Sequence, residues 1–140
     1  MRSVNPRQSR RSAGLDRVGA AVVEAAICLP VLVLILFGTI ETCNMLFVSQ
    51  SLKIVAFEGS RVGTVPGAEA DNVQYQCETL LDDRDISGAT IAFTPDPATL
   101  QPGEFFQVTI EAPCGPNSVI GSAFFAGRTI VRSASLPAKQ

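Results

Sequence analysis

The chain has 140 residues, 46% of them hydrophobic, with a net charge of −2 and no histidine. Without histidine, Ser-His and Cys-His nucleophilic pairs are excluded, and the commonest general base and metal ligand near neutral pH are missing. No Gly-rich phosphate loop occurs and the chain beyond residue 19 is acidic, so nucleotide hydrolysis and nucleic-acid binding have no support; no enzymatic activity and no cofactor are expected.

Residues 1–19 form a basic leader. Arg2, Arg7, Arg10, Arg11 and Arg17 stand against Asp16 alone, so the net charge of −2 divides into a leader of +4 and a remainder of −6. The leader's Ser, Asn, Gln, Pro and Gly offer no core, and it is expected to be disordered. Arg17 then opens RVGAAVVEAAICLPVLVLILFGTI. Residues 20–40 of this run, at about 1.5 Å per residue, cover roughly the 30 Å of a bilayer core and predict a transmembrane segment. A secretory signal peptide has a similar start, but its apolar region runs only about 7–15 residues before an A-x-A-like site, and here the run is longer and ends in FGTIETCN. The basic flank predicts a cytoplasmic N-terminus and a C-terminal part outside.

One carboxylate, Glu24, interrupts the apolar run. An ionisable group at the centre of a spanning helix costs about 2.5–3.5 kcal/mol on the milder insertion scales, which makes Glu24 a functional candidate. The alternative is that it sits at the cytoplasmic interface within reach of water. Pro30 removes a backbone donor and predicts a kink or local opening near Ala26, although membrane helices also tolerate proline.

Beyond the span, residues 41–64 keep a helical pattern. Ile40, Cys43, Phe47, Ile54 and Phe57 fall on one face, interrupted by Gln50, and Gly63 with GTVPG supplies the stop. A helix from about residue 20 to about residue 62 would be roughly 65 Å long, about twice what a bilayer needs. The stripe is expected to be the side packed on the chain's own domain rather than a partner surface, with the outer half of the helix on that domain and the inner half available to neighbours. Glu58 and Arg61 are spaced to pair across one turn.

Residues 65–140 predict one small outer domain. EADNVQYQCETLLDD (69–83) is a short amphipathic helix presenting Val73, Gln76 or Cys77, Leu80 and Leu81 on one side. SGATIAFTP, FFQVTIEAP and GRTIVRSASLP are three alternating strands, and NSVIGSAFFAG (117–127) is a candidate apolar turn of helix laid on the sheet. The fold class is therefore α+β: a long N-terminal transmembrane helix, then a small domain with a short helix and a three-stranded antiparallel sheet.

Cys28 and Cys43 lie in or at the membrane segment, where small apolar packing is their expected role. Cys77 and Cys114 lie in the outer domain, where an oxidising compartment permits a disulfide; it would close a loop of about 37 residues and stabilise by about 4 kcal/mol. The alternative is two free thiols or metal ligands. No C-x-x-C spacing occurs, so no metal site is expected. Asp82, Asp83 and Asp85 lack the glycine and final glutamate of an EF-hand loop and read as a solvated helix end or turn.

These residues resemble the TadE-like family of pilin-like proteins, associated with the Tad (Flp) pilus assembly and secretion system. The resemblance rests on the basic leader, Gly19, AAVV, Glu24, AICLPVLVLILFG, then AFEGSRVG (56–63) and PGEFFQVTIEAP (102–113). It implies a minor pilin or pseudopilin in the bacterial inner membrane, passing once and entering or assisting a pilus. It further implies processing by a prepilin-type peptidase: Gly19 as the last leader residue, Ala20 as the first mature residue, and Glu24 as the fifth. Cleavage would give Ala20 a free amine, the cation that a neighbour's buried Glu24 needs. The implied partners are that peptidase, other pilin or pseudopilin subunits through the long helix, the inner-membrane assembly platform and membrane lipid, with no nucleic acid. An uncleaved single-pass anchor presenting an extracytoplasmic scaffold or sensor domain is the alternative.

Overall fold

The computed structural model describes residues 6–121 and 124–138, with side chains from Val18 onward. Helix α1 runs Pro6–Gly63. Proline at the first helical position lacks only a donor that would have no intrahelical partner there. The helix is unbroken through Ala26 and Pro30, without the local opening that proline suggested. It also covers residues 6–19, contrary to the disordered leader expected from composition. A leader without a core can still be helical when it extends an existing helix, because each added residue gains a hydrogen bond without a new nucleus. Residues 1–5 lie outside the described residues.

The chain divides into two compact units, residues 1–39 and 40–140. In the first, Val18–Thr39 is helical and almost wholly exposed. It belongs to the one helix, among the described residues, that is long and apolar enough to cross a membrane. None of the residues in its most apolar window is buried within the molecule, unlike those of the core helix of a water-soluble protein.

The second unit adds α2 (Ala70–Asp82) and strands β1 (Thr90–Thr94), β2 (Phe105–Pro113) and β3 (Thr129–Pro137) to the last part of α1. The sheet is antiparallel in the order β1-β2-β3, with Val108 opposite Phe93 on one side and Ala134 on the other. Period-two alternation sends Phe106, Val108, Ile110 and Ala112 of the central strand into the core and leaves Phe105, Gln107 and Glu111 outside. They meet Val48, Leu52, Val55 and Ala56 of α1, Val73, Cys77 and Leu81 of α2, and Ile86. The α+β class and all three strands agree with the sequence. NSVIGSAFFAG does not form the expected helical turn. Its described residues make turns, with Gly121 and Gly127 at φ 74° and 70°, a left-handed conformation that helices do not contain.

Helix α2 stops at a Schellman arrangement: Ile86 N–H donates to Leu81 O at 3.0 Å and Asp85 N–H to Asp82 O at 3.0 Å. Asp85 takes the left-handed position at φ 53°, which returns Ile86 to the core. The acidic cluster is thus a helix end.

Candidate interaction surface on the long helix

Within residues 40–63, α1 carries two different faces. The face turned to the domain presents Glu41, Met45, Val48, Leu52, Val55, Ala56, Gly59, Ser60 and Gly63, all buried. The stripe singled out from the sequence, Ile40, Cys43, Phe47, Ile54 and Phe57, is exposed, with Phe47 at 52% and Phe57 at 47%. At about 100° per residue the two sets lie on opposite sides of the helix. The expectation that this stripe packs on the chain's own domain is therefore corrected: the domain takes the other face. The stripe's polar members are Gln50 and Arg61, and Arg61 pairs with Glu58 at 3.1 Å as its spacing predicted.

Small residues explain why the domain chose its face. A Cβ on Gly59 would stand 2.5 Å from Cys77 Sγ, and one on Gly63 would overlap the Phe106 ring. Ser60 Oγ donates to Ala134 O of β3 at 3.0 Å. AFEGSRVG is thus the seat on which α2 and β2 close, and glycine is required at 59 and 63 by close approach.

Glu41 is the feature that sequence reading missed. It is only 1% exposed, and its Oε2 accepts from the N–H groups of Val119 and Ile120, each at 3.2 Å, while its Oε1 has no partner among the described residues. Asn44 Nδ2 donates to Asn117 O at 2.7 Å, and Asn117 in turn clasps Ser87 and Pro113. One turn of α1 therefore holds the 117–120 loop in place. A carboxylate directly after the apolar run was the available signal.

Gly19 lies in helix with nothing within 4 Å of a Cβ there, and Ala20 and Glu24 are exposed, one turn apart. Glu24 has no ion-pair partner among the described residues. Cys77 and Cys114 do not form the expected disulfide: all four cysteines are free, with Cys77 and Cys114 buried. Cys77 packs by Gly59 and Val108, whereas Cys114 follows the end of β2, six residues beyond Val108. That is roughly 20 Å of strand, far outside the reach of a disulfide. Burial, and secondarily the charge of Glu78, push the Cys77 thiol up to about 11.

The helix before residue 40 is apolar and exposed, and within residues 40–63 an apolar stripe is exposed on the face that the domain leaves free. Residues 19–61 match the family model described as TadE-like protein. No curated protein and no solved structure matches the chain.

Proposed function

We propose that this chain, TadE-like over residues 19–61, is a minor pilin or pseudopilin that takes part in assembling a Tad/Flp pilus. The observation that carries the reading is the exposed stripe of Phe47, Ile54 and Phe57, which prolongs an apolar helix beyond the length a bilayer covers. Side chains of that size left in water on one helix face suit burial against other helices. The subunit sits in the inner membrane with its leader cytoplasmic and its domain outside, through the positive flank of residues 1–19. A prepilin-type peptidase cuts after Gly19, and the amine of Ala20 then neutralises Glu24 of a neighbouring subunit when helices stack in a medium of low dielectric constant. Its partners are other pilin or pseudopilin subunits and the inner-membrane assembly platform, and its role is binding, without catalysis.

The test is to place a charge on the stripe. Phe57→Glu in the native host leaves the subunit at normal level in the membrane fraction and lowers the yield of sheared pili, and a cysteine at Ile54 crosslinks to pilus subunits. Normal piliation by Phe57→Glu, with no crosslink from position 54, contradicts the reading.

A further inference from the structure

We infer that the exposed stripe of α1 between residues 40 and 63 receives a second copy of this chain, packed in parallel and in register, with Lys53 and Arg132 of each copy beside Asp83 and Asp85 of the other. This rests on the reading of the stripe as a partner surface and names the partner.

Two flanks of opposite charge border the stripe. On one, Arg132 of β3 donates from Nε and Nη2 to Ser49 Oγ at 3.0 and 2.6 Å, and Lys53, one turn beyond Ser49, is exposed on the same side. On the other, Arg84 Nη1 donates to Ser51 Oγ at 3.5 Å, which sets the end of α2 against the helix. There Asp83 and Asp85, both exposed, line a cleft of about 450 Å³ together with Phe47, Val48, Ile86 and Val119. Among the described residues, none of Lys53, Arg132, Asp83 and Asp85 has an ion-pair partner. At about 100° per residue, Lys53, Phe57, Ile54, Phe47 and Ser51 follow one another around the helix in that order. The half-exposed apolar side chains therefore separate the basic flank from the acidic one.

This order selects both the partner and its direction. When two copies meet stripe to stripe about a two-fold axis parallel to α1, each basic flank faces the other copy's acidic flank, and the apolar side chains cover one another. Antiparallel helices would instead set basic against basic and acidic against acidic. The levels agree as well: Arg132 is held at Ser49 and the end of α2 at Ser51, only about 3 Å apart along the axis at 1.5 Å per residue. Opposite charges beside an apolar seam fix direction and register, as the charged positions flanking a coiled-coil seam do. The cleft, apolar at Phe47 and Val48 and acidic at its rim, suits the aliphatic stem and ammonium of Lys53.

Sedimentation equilibrium of the full chain in mild detergent tests the inference. The wild type should show an equilibrium between monomer and dimer. Lys53→Glu or Asp83→Lys alone brings like charges together at both edges of the dimer and should raise its Kd about fivefold. An equimolar mixture of the two variants should associate as tightly as the wild type, because each edge of the mixed dimer again joins opposite charges; no contact within one chain produces that rescue. Should Asp83→Lys fold poorly, salt gives a second reading: raising ionic strength should weaken the wild-type dimer and strengthen that of Lys53→Glu. A wild-type chain that stays monomeric, single variants that associate like the wild type, or a mixture no tighter than its components overturns the self-contact. Loss of pili in Phe57→Glu would in that case keep the stripe as a surface for other subunits, whereas normal piliation would remove the partner surface itself.

Discussion

The contact between Gly59 and Cys77 can be read as a coupling energy. A methyl group at 59 would stand 2.5 Å from Cys77 Sγ and 3.5 Å from a methyl of Val108, so it meets a fully buried thiol held one bond from its Cβ. Overpacking of this kind costs about 1–3 kcal/mol, offset by the roughly 1 kcal/mol that alanine gains over glycine within a helix, so Gly59→Ala should destabilise the outer unit by up to about 2 kcal/mol. Cys77→Ala deletes one buried sulfur and leaves a small cavity, at a cost of about 1 kcal/mol. In the double variant the new methyl occupies the volume that the sulfur vacated and the helix keeps its alanine, so the loss should be under about 1 kcal/mol where simple addition gives up to about 3. The assay is amide hydrogen exchange of Val108 and Ile110 in the full chain in mild detergent, where each 1.4 kcal/mol of opening free energy is about a tenfold change in protection. The Gly59→Ala variant should exchange faster at these positions, and adding Cys77→Ala should largely restore protection. Additivity within about 0.5 kcal/mol would mean that the helix seat is not closed by this contact.

Gly63→Ala should be the more damaging glycine substitution, because the group it meets is the rigid, fully buried Phe106 ring. A loss of about 2 kcal/mol is expected in the same exchange assay, whereas Gly19→Ala, in open space, should leave it unchanged. Glu41→Ala removes the acceptor of two backbone donors and should raise exchange at the Val119 and Ile120 amides by about fivefold or more, corresponding to about 1–3 kcal/mol; Glu41→Gln, which keeps an acceptor there, should cost less than about 1 kcal/mol. Asp85→Gly should stabilise α2 by about 0.5–1 kcal/mol, seen as slower exchange of the Ile86 amide, because glycine takes a φ of 53° without strain. The Cys77 thiol, held up to about 11 by burial, keeps its proton after the unfolded chain has lost its own near 9, so stability is fully present below pH 9 and falls as pH rises through 11. Cys77→Ala should flatten that alkaline loss in thermal melts taken across the interval.

The strands were legible because β2 alternates cleanly, so that every second residue from Phe106 to Ala112 is buried. Helix α2 was legible for a related reason: Val73, Cys77 and Leu81 recur every fourth residue on its buried face. Pattern reading followed large side chains and so found Phe47, Ile54 and Phe57, the face of α1 that the domain leaves open. The face in contact with the domain is written partly in small residues, Ala56, Gly59, Ser60 and Gly63, whose message is close approach and which hydropathy weighs lightly. The disulfide misled because compartment and cysteine count say nothing of where along a strand a thiol lies. Glu41 was passed over because only the folded chain brings the N–H groups of Val119 and Ile120, nearly eighty residues later in sequence, against it. The loop after β2 read as helix from its apolar composition, while Gly121 and Gly127 at positive φ direct it into turns.

The decisive measurement is the intact mass and N-terminal sequence of the protein purified from its native host, as wild type and as Gly19→Ala. A mature chain that begins at Ala20, and a Gly19→Ala protein that retains its leader, are the predicted result for a processed pilin-like subunit. A start at Met1 in both would contradict processing and leave a permanent single-pass anchor, while a start beyond residue 40 would show that the helix served only as a signal and would contradict the account altogether.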